Sequence, residues 1–172
     1  MPARHAPDEV RAAAPAPAVP PAPELAVAFG TDETTPLTRA VVARLEGAGH
    51  RVAVVADGSD WPDAGRAVGE AVASGQADRG VVCCTTGTGV SIAANKVPGV
   101  RAALCTDAAT AAGARRWNDA NVLAFGLRLS TEAVVGEMLD AFLGTAVDPG
   151  EGAMVARVEP AGPAAGAGPA PR

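Results

Sequence analysis

The chain has 172 residues and a formal net charge of −5 at pH 7. No apolar run reaches the roughly 18 residues of a membrane-spanning helix, and acidic and basic residues are interspersed, so we expect neither a membrane nor a nucleic-acid partner. Three cysteines at irregular spacing do not form a disulfide framework, and we therefore predict a cytoplasmic protein.

The two ends of the chain differ in composition from its middle. Residues 1–23 are rich in Ala, Pro and Arg, and residues 160–172 read PAGPAAGAGPAPR. Such segments bury too little apolar surface to offset the entropy lost on ordering them. We therefore predict two disordered ends around a single domain that spans residues 24–159.

Short apolar runs without a helical period alternate along this domain with segments that have one. In chain order, the predicted strands are 25–30, 51–57, 80–84, 100–105 and 121–126. The predicted helices are 37–47, 64–74, 90–97, 107–116 and 131–143. The strands are apolar on both faces, and helical crossovers connect parallel strands. We therefore predict an α/β fold, a doubly wound five-stranded parallel sheet in a Rossmann-like three-layer sandwich.

The most informative stretch is VVCCTTGTGVSIAANK, residues 81–96. Cys84 ends the third predicted strand, and residues 85–89 form a glycine-bearing turn before a helix. Ligands of such sheets lie beyond the carboxyl ends of the strands, and the free N–H groups at the start of a helix can hold an anion. The sequence therefore predicts that a small anionic or polyhydroxylated molecule binds at this turn.

Two nucleotide-binding motifs can be compared with this turn, and neither fits. Gly87-Thr88-Gly89 resembles the start of the dinucleotide motif G-x-G-x-x-G, but Ile92 occupies the third glycine position. No Gly-Lys-Ser/Thr follows at the spacing of a phosphate-binding Walker A loop. Position leaves two interpretations of Cys84 open: a small buried apolar residue, or a thiolate that acts as base or nucleophile.

Residues 77–128, which contain GTGVSIAANK, RAALC and NDANVL, strongly resemble the ribose-5-phosphate isomerase B family, which includes the galactose-6-phosphate isomerase subunits. The likeness extends from GTDE at 30–33, through DWPD at 60–63, to ARVE at 156–159. Members of that family interconvert aldose and ketose phosphates through an enediolate, without a metal or another cofactor. The resemblance also implies a homodimer or tetramer whose sites take residues from two subunits.

The resemblance assigns roles to particular residues. Cys84 matches the family's proton-shuttling base, and Asp32 matches the acidic residue after the first strand, which contacts sugar hydroxyls. We expect Asp32 or Glu33 to handle the hydroxyl protons. The turn would stabilise the enediolate oxyanion through its backbone amides. The residues expected to contact the substrate are Thr85, Thr86, Gly87, Thr88, Gly89, Trp117, Asn118, Arg128 and Arg157.

Three positions depart from the family pattern. A histidine is usual where Glu33 stands, the family's ring-opening histidine is replaced by Trp117, and the first C-terminal arginine is replaced by Ala153. Exchanging two phosphate contacts for a carboxylate and a methyl group should weaken phosphate binding by a factor on the order of 10³ or more. We therefore predict an isomerase-like enzyme that acts on a non-standard sugar, sugar phosphate or related hydroxycarbonyl compound.

Other functions stay open at this point. Ribose 5-phosphate could enter the site already open, or the domain could be a repurposed epimerase, cyclase or dehydratase, or a non-catalytic ligand-binding protein. Glu33 could be a solvated loop charge, and Trp117 could be a packing residue or an apolar pocket wall. Arg128 and Arg157 could form surface ion pairs, but their presence beside a lost partner arginine favours a contact to a carboxylate or a residual phosphate group. If they serve the site, we expect Trp117, Arg128 and Arg157 to reach the Cys84 pocket of a neighbouring subunit.

Overall fold

The computed structural model describes residues 23–158. The strands are β1 (Ala26–Thr31), β2 (Arg51–Asp57), β3 (Arg79–Cys84), β4 (Ala102–Leu104) and β5 (Val122–Gly126). The helices are α1 (Pro36–Gly47), α2 (Trp61–Ala73), α3 (Thr88–Ala94), α4 (Ala108–Asn118), α5 (Glu132–Gly144) and α6 (Gly152–Val155), the last preceded by a 3-10 turn at Pro149–Glu151. No helix within these residues is long and apolar enough to cross a membrane. The predicted ends, 1–23 and 160–172, lie outside the described residues except for Pro23.

The five strands form one parallel sheet in the order β2-β1-β3-β5-β4. One face carries α1, α4 and α5, with Leu45 and Leu139 fully buried against Phe29 and Phe125. The other face carries α2 and α3. This confirms the predicted three-layer α/β fold. It also places the carboxyl ends of the three central strands, β1, β3 and β5, side by side.

The prediction that every strand is buried on both faces is wrong for the two outer strands, β2 and β4. In β2, Val54 is 50% exposed and Val55 is 37% exposed, and in β4 Leu104 is 43% exposed. The run RVAVVAD is as apolar as the central strands. Apolar content therefore identified the strand correctly but could not show that it has a neighbour on one side only.

Helices α2 and α3 approach each other closely because α2 presents two glycines to its partner. A Cβ atom at Gly65 would lie 2.7 Å from the carbonyl oxygen of Val90, and one at Gly69 would lie 2.9 Å from Val97. The same packing brings the indole ring of Trp61, at the start of α2, against Gly89. Contact between α2 and α3 thus holds the 85–89 turn in place from one side.

Candidate functional site at the carboxyl edge of the sheet

Cys84 is the last residue of β3, and its side chain is only 5% exposed. It packs on the face covered by α2 and α3, in the same buried cluster as Val90 and Val68. Its sulfur nevertheless faces the turn, since the backbone N–H of Gly87 donates a hydrogen bond to Sγ at 3.2 Å. An amide donor directed at sulfur is the kind of contact that stabilises a thiolate. The structure therefore places the predicted base in contact with the predicted anion-holding turn.

The turn depends on glycine at position 87. Gly87 adopts a left-handed backbone conformation with φ of +76°. A Cβ atom there would lie 2.5 Å from the carbonyl carbon of Phe125 and 2.8 Å from the amide nitrogen of Gly126. The turn is therefore pressed against the end of β5, which supports the Gly87 amide that contacts Cys84. Its outer residues, Thr85, Thr86 and Thr88, are exposed to an incoming ligand.

Asp32 follows β1, and β1 is the strand paired directly with β3. Its carboxylate oxygen Oδ1 is buried without a hydrogen-bond partner among the described residues. Burial raises the pKa of Asp32, its own backbone N–H opposes that shift, and the charge of Glu33 raises the pKa further. A half-buried carboxyl group with an unused acceptor is suited to binding a substrate hydroxyl and exchanging a proton with it.

Glu33 and Arg128 line a cavity of about 520 Å³ beside the turn. Thr85 lines it too, and the remaining lining residues are Thr35, Pro36, Leu37, Leu127 and Ser130. Arg128 is anchored to its own chain's turn because its backbone N–H donates to the carbonyl oxygen of Thr85 at 3.0 Å. The structure thus brings these three predicted site residues together within one chain, where the sequence had suggested that Arg128 reaches a neighbour.

Trp117 and Asn118 lie on a different cavity, of about 510 Å³, at the end of α4. It adjoins a cavity of about 210 Å³ that contains Thr85, Thr86 and Arg128, since Leu104 and Cys105 line both. The indole of Trp117 packs on Gly113 and remains 54% exposed. Within one chain, neither residue lines the cavity that contains Glu33, and Cys84 itself lines none of these three cavities.

Arg157 lies further away, just after α6. It is exposed, and its Nη1 donates to the sulfur of Met154 at 3.6 Å. It lines none of the three cavities described above. The structure therefore does not bring Arg157 to the Cys84 turn of its own chain.

Two polar residues of the cavity of about 520 Å³, Thr35 and Ser130, were not predicted as site residues from the sequence. Thr35 caps α1 through a reciprocal hydrogen-bond pair with Thr38, and its Thr-Pro-x-Thr pattern was a readable helix-start signal. Ser130, two residues after Arg128, had no local signal, because only the neighbouring strand ends make it part of a site. Within residues 23–158, no group of three or more His, Cys, Asp or Glu side chains is placed to hold a metal ion.

Comparison with known proteins agrees with this architecture. The profile of the ribose/galactose isomerase family matches residues 27–160. The chain belongs to this family. A family member, ribose-5-phosphate isomerase B of Escherichia coli, is 39% identical over 131 residues, covering 72% of this chain and 87% of the relative. Galactose-6-phosphate isomerase subunit LacB of Clostridium acetobutylicum is 37% identical over 126 residues, covering 69% and 72%.

A solved structure of the family superimposes on the fold. The type B ribose 5-phosphate isomerase of Trypanosoma brucei gives a TM-score of 0.74 at 37% sequence identity, covering 78% of this chain and 97% of that one. The superposition covers most of the part of the chain in which the sheet and its helices lie. Membership in a family of sugar-phosphate isomerases is therefore shown by sequence and by fold.

Proposed function

We propose that this chain is an aldose–ketose isomerase-like enzyme that moves a proton between adjacent carbons of a sugar or related hydroxycarbonyl compound. The observation that carries the proposal is the 3.2 Å contact from the Gly87 amide to the sulfur of Cys84. It joins a potential base to a turn of backbone donors at the sheet edge where ligands of this fold bind. Family membership supports the same chemistry.

In the proposed reaction, the Cys84 thiolate removes the proton from the carbon next to the carbonyl group. The electron pair of that C–H bond forms the C=C bond of an enediolate, and the carbonyl oxygen becomes an oxyanion. Amides of the 85–89 turn stabilise the oxyanion. The thiol then returns the proton to the neighbouring carbon, and Asp32 moves the hydroxyl proton between the two oxygens. Substrate and product are isomers, so nothing is oxidised or reduced overall.

The substrate we propose differs from a ring-closed ribose 5-phosphate. Opening a furanose ring needs a proton donor at the ring oxygen, and Trp117 cannot replace the imidazole that is usual at its position. Within residues 23–158 the only histidine is His50, which is buried before β2 and accepts the N–H of Leu25 through Nδ1 at 3.3 Å. It therefore lies at the amino end of the sheet, opposite Cys84. A substrate that is already in its open-chain form does not need the ring-opening step, for which this site has no histidine.

We propose further that the site is completed in a homodimer or tetramer. Trp117 and Arg157 are exposed, and neither lines a described cavity together with a residue of the 85–89 turn of its own chain. A neighbouring copy can present such side chains to that turn, and the exposed ring of Trp117 is large enough to form an apolar wall there. Cross-linking of the purified protein followed by mass measurement would show whether two copies associate.

The near-complete burial of Cys84 favours a second candidate, a protein that binds the same class of compound without turning it over. Aldose–ketose interconversion, followed by NMR on pentoses, hexoses and their phosphates, separates the two candidates. We expect conversion of at least one compound, and a fall of about 10² to 10⁴-fold in kcat/KM for Cys84→Ala. Cys83→Ala is the matched control, because Cys83 packs in the core on the opposite face of β3. Binding that survives in Cys84→Ser, with no conversion by any variant, would support the non-catalytic candidate.

A further inference from the structure

The cavity beside the turn contains one acidic and one basic side chain of the predicted site. Glu33 and Arg128 line it from the ends of β1 and β5, and both are exposed to solvent. No salt bridge joins the two within residues 23–158. Each charged group is therefore available to a ligand that enters the cavity.

The backbone on both sides of the cavity is held firmly. The hydroxyl of Thr31, a fully buried residue, donates to the carbonyl oxygen of Glu33 at 2.9 Å and accepts its N–H at 3.2 Å. On the other side, the N–H of Arg128 donates to Thr85 at 3.0 Å, and the N–H of Leu127 donates to the carbonyl oxygen of Cys84 at 2.9 Å. Both charged side chains thus extend from positions fixed relative to the turn.

The two side chains have opposite hydrogen-bonding requirements. An ionised Glu33 can only accept hydrogen bonds, and Arg128 can only donate them. A terminal sugar hydroxyl satisfies both, since its O–H donates to the carboxylate while its lone pair accepts from the guanidinium. A phosphate dianion has acceptors alone, so it satisfies Arg128 but meets Glu33 as a like charge. The hydroxyls of Thr35 and Ser130 can donate or accept hydrogen bonds, so they discriminate neither against a terminal hydroxyl nor against a phosphate.

We infer that Glu33 and Arg128 together select a substrate whose far end is an unphosphorylated hydroxyl group. The inference rests on the proposed function for the reacting end of the substrate and adds the chemical class of the other end. Glu33 acts here as the repulsive element that excludes sugar phosphates, and Arg128 acts as the donor that retains the sugar.

Binding of a matched pair of inert polyols tests the inference without requiring catalysis. Ribitol and ribitol 5-phosphate cannot isomerise. NMR titration of the full-length protein can measure the dissociation constant of each, even when binding is weak. We expect ribitol to bind at least tenfold more tightly than ribitol 5-phosphate. In Glu33→Gln we expect binding of the phosphate to strengthen at least tenfold, while binding of ribitol weakens severalfold.

Glu46→Gln is the matched control, because it makes the same change in net charge on the last turn of α1, outside this cavity. We expect it to alter neither dissociation constant more than twofold. Tighter binding of ribitol 5-phosphate by the unmodified protein would overturn the inference. So would an unchanged preference in Glu33→Gln, or binding of neither polyol.

Failure of the inference and failure of the proposed function give different results. Conversion of sugar phosphates that depends on Cys84, with a preference for ribitol 5-phosphate, would remove the inference and leave the proposed function. A preference for ribitol that depends on Glu33, with no conversion of any sugar, would remove the proposed function and leave the inference about the far end of the ligand.

Discussion

Replacing Gly87 by alanine tests whether the geometry of the turn is as constrained as its contacts indicate. The new Cβ would lie 2.5 Å from the carbonyl carbon of Phe125 and 2.8 Å from the amide nitrogen of Gly126. Both are backbone atoms of β5, which cannot rotate away as a side chain can. The turn must therefore move or β5 must shift, and either change disturbs the amide that contacts Cys84.

Two costs add up in Gly87→Ala. The left-handed conformation, with φ of +76°, costs a residue with a Cβ atom about 1–2 kcal/mol. Overpacking against β5 adds about 1–3 kcal/mol. We therefore expect a loss of about 2–5 kcal/mol in the free energy of unfolding, out of the roughly 5–15 kcal/mol that is typical of folded domains.

Gly75→Ala isolates the steric part of this loss. Gly75 has nearly the same φ, +77°, but a Cβ atom there would meet nothing within 4 Å. Any change in unfolded-state entropy is shared by the two variants and cancels in the comparison. Urea denaturation should show Gly87→Ala to be less stable than Gly75→Ala by about 1–3 kcal/mol. Equal losses in the two variants would refute the close packing of the turn on β5.

Two further predictions follow from shifted pKa values. Because burial raises the pKa of Asp32, its ionised form destabilises the folded state above that pKa. Asp32→Asn should therefore be more stable than the wild type at pH 7, and urea denaturation at lower pH should show this gain disappearing as wild-type Asp32 becomes protonated. A gain that persists at pH 3 would contradict this. Burial also raises the pKa of Cys83 to about 12 and that of Cys105 to about 11. Because iodoacetamide reacts with the thiolate form, it should label neither residue in the native protein at pH 8. Peptide mass mapping of the treated protein measures this labelling. Labelling of either residue at the rate of the urea-unfolded chain would contradict that assignment.

Much of the fold could be predicted from the sequence because each strand is a compact apolar run between turn residues. The predicted strand 51–57 has the observed limits, and the others agree to within about two residues at each end. Helix α2 begins at Trp61 rather than at 64, since Asp60 and Pro62 form a helix start that resembles a loop in sequence. Strand order is a tertiary property, so the exposure of Val54 could not be predicted.

The candidate site could be predicted only for residues that directly end or follow a predicted strand. Cys84, the turn and Asp32 stand directly at strand ends, and the fold of parallel strands brings those ends together. The meeting of Glu33 with Arg128 was not predicted, because it depends on β3 lying between β1 and β5. The placement of Trp117 and Arg157 likewise depends on how α4 and α6 pack, and no local pattern reveals it.

Deuterium incorporation from D2O tests the role of Cys84 most directly. A thiol that holds a proton taken from carbon can exchange it with solvent before returning it, so NMR of the recovered sugar should show deuterium at the carbon next to the carbonyl group. We predict this exchange for the wild type and for Cys83→Ala, at a rate at least about 10² times that of Cys84→Ala. Exchange that continues at the wild-type rate in Cys84→Ala would contradict the assignment of Cys84 as the base.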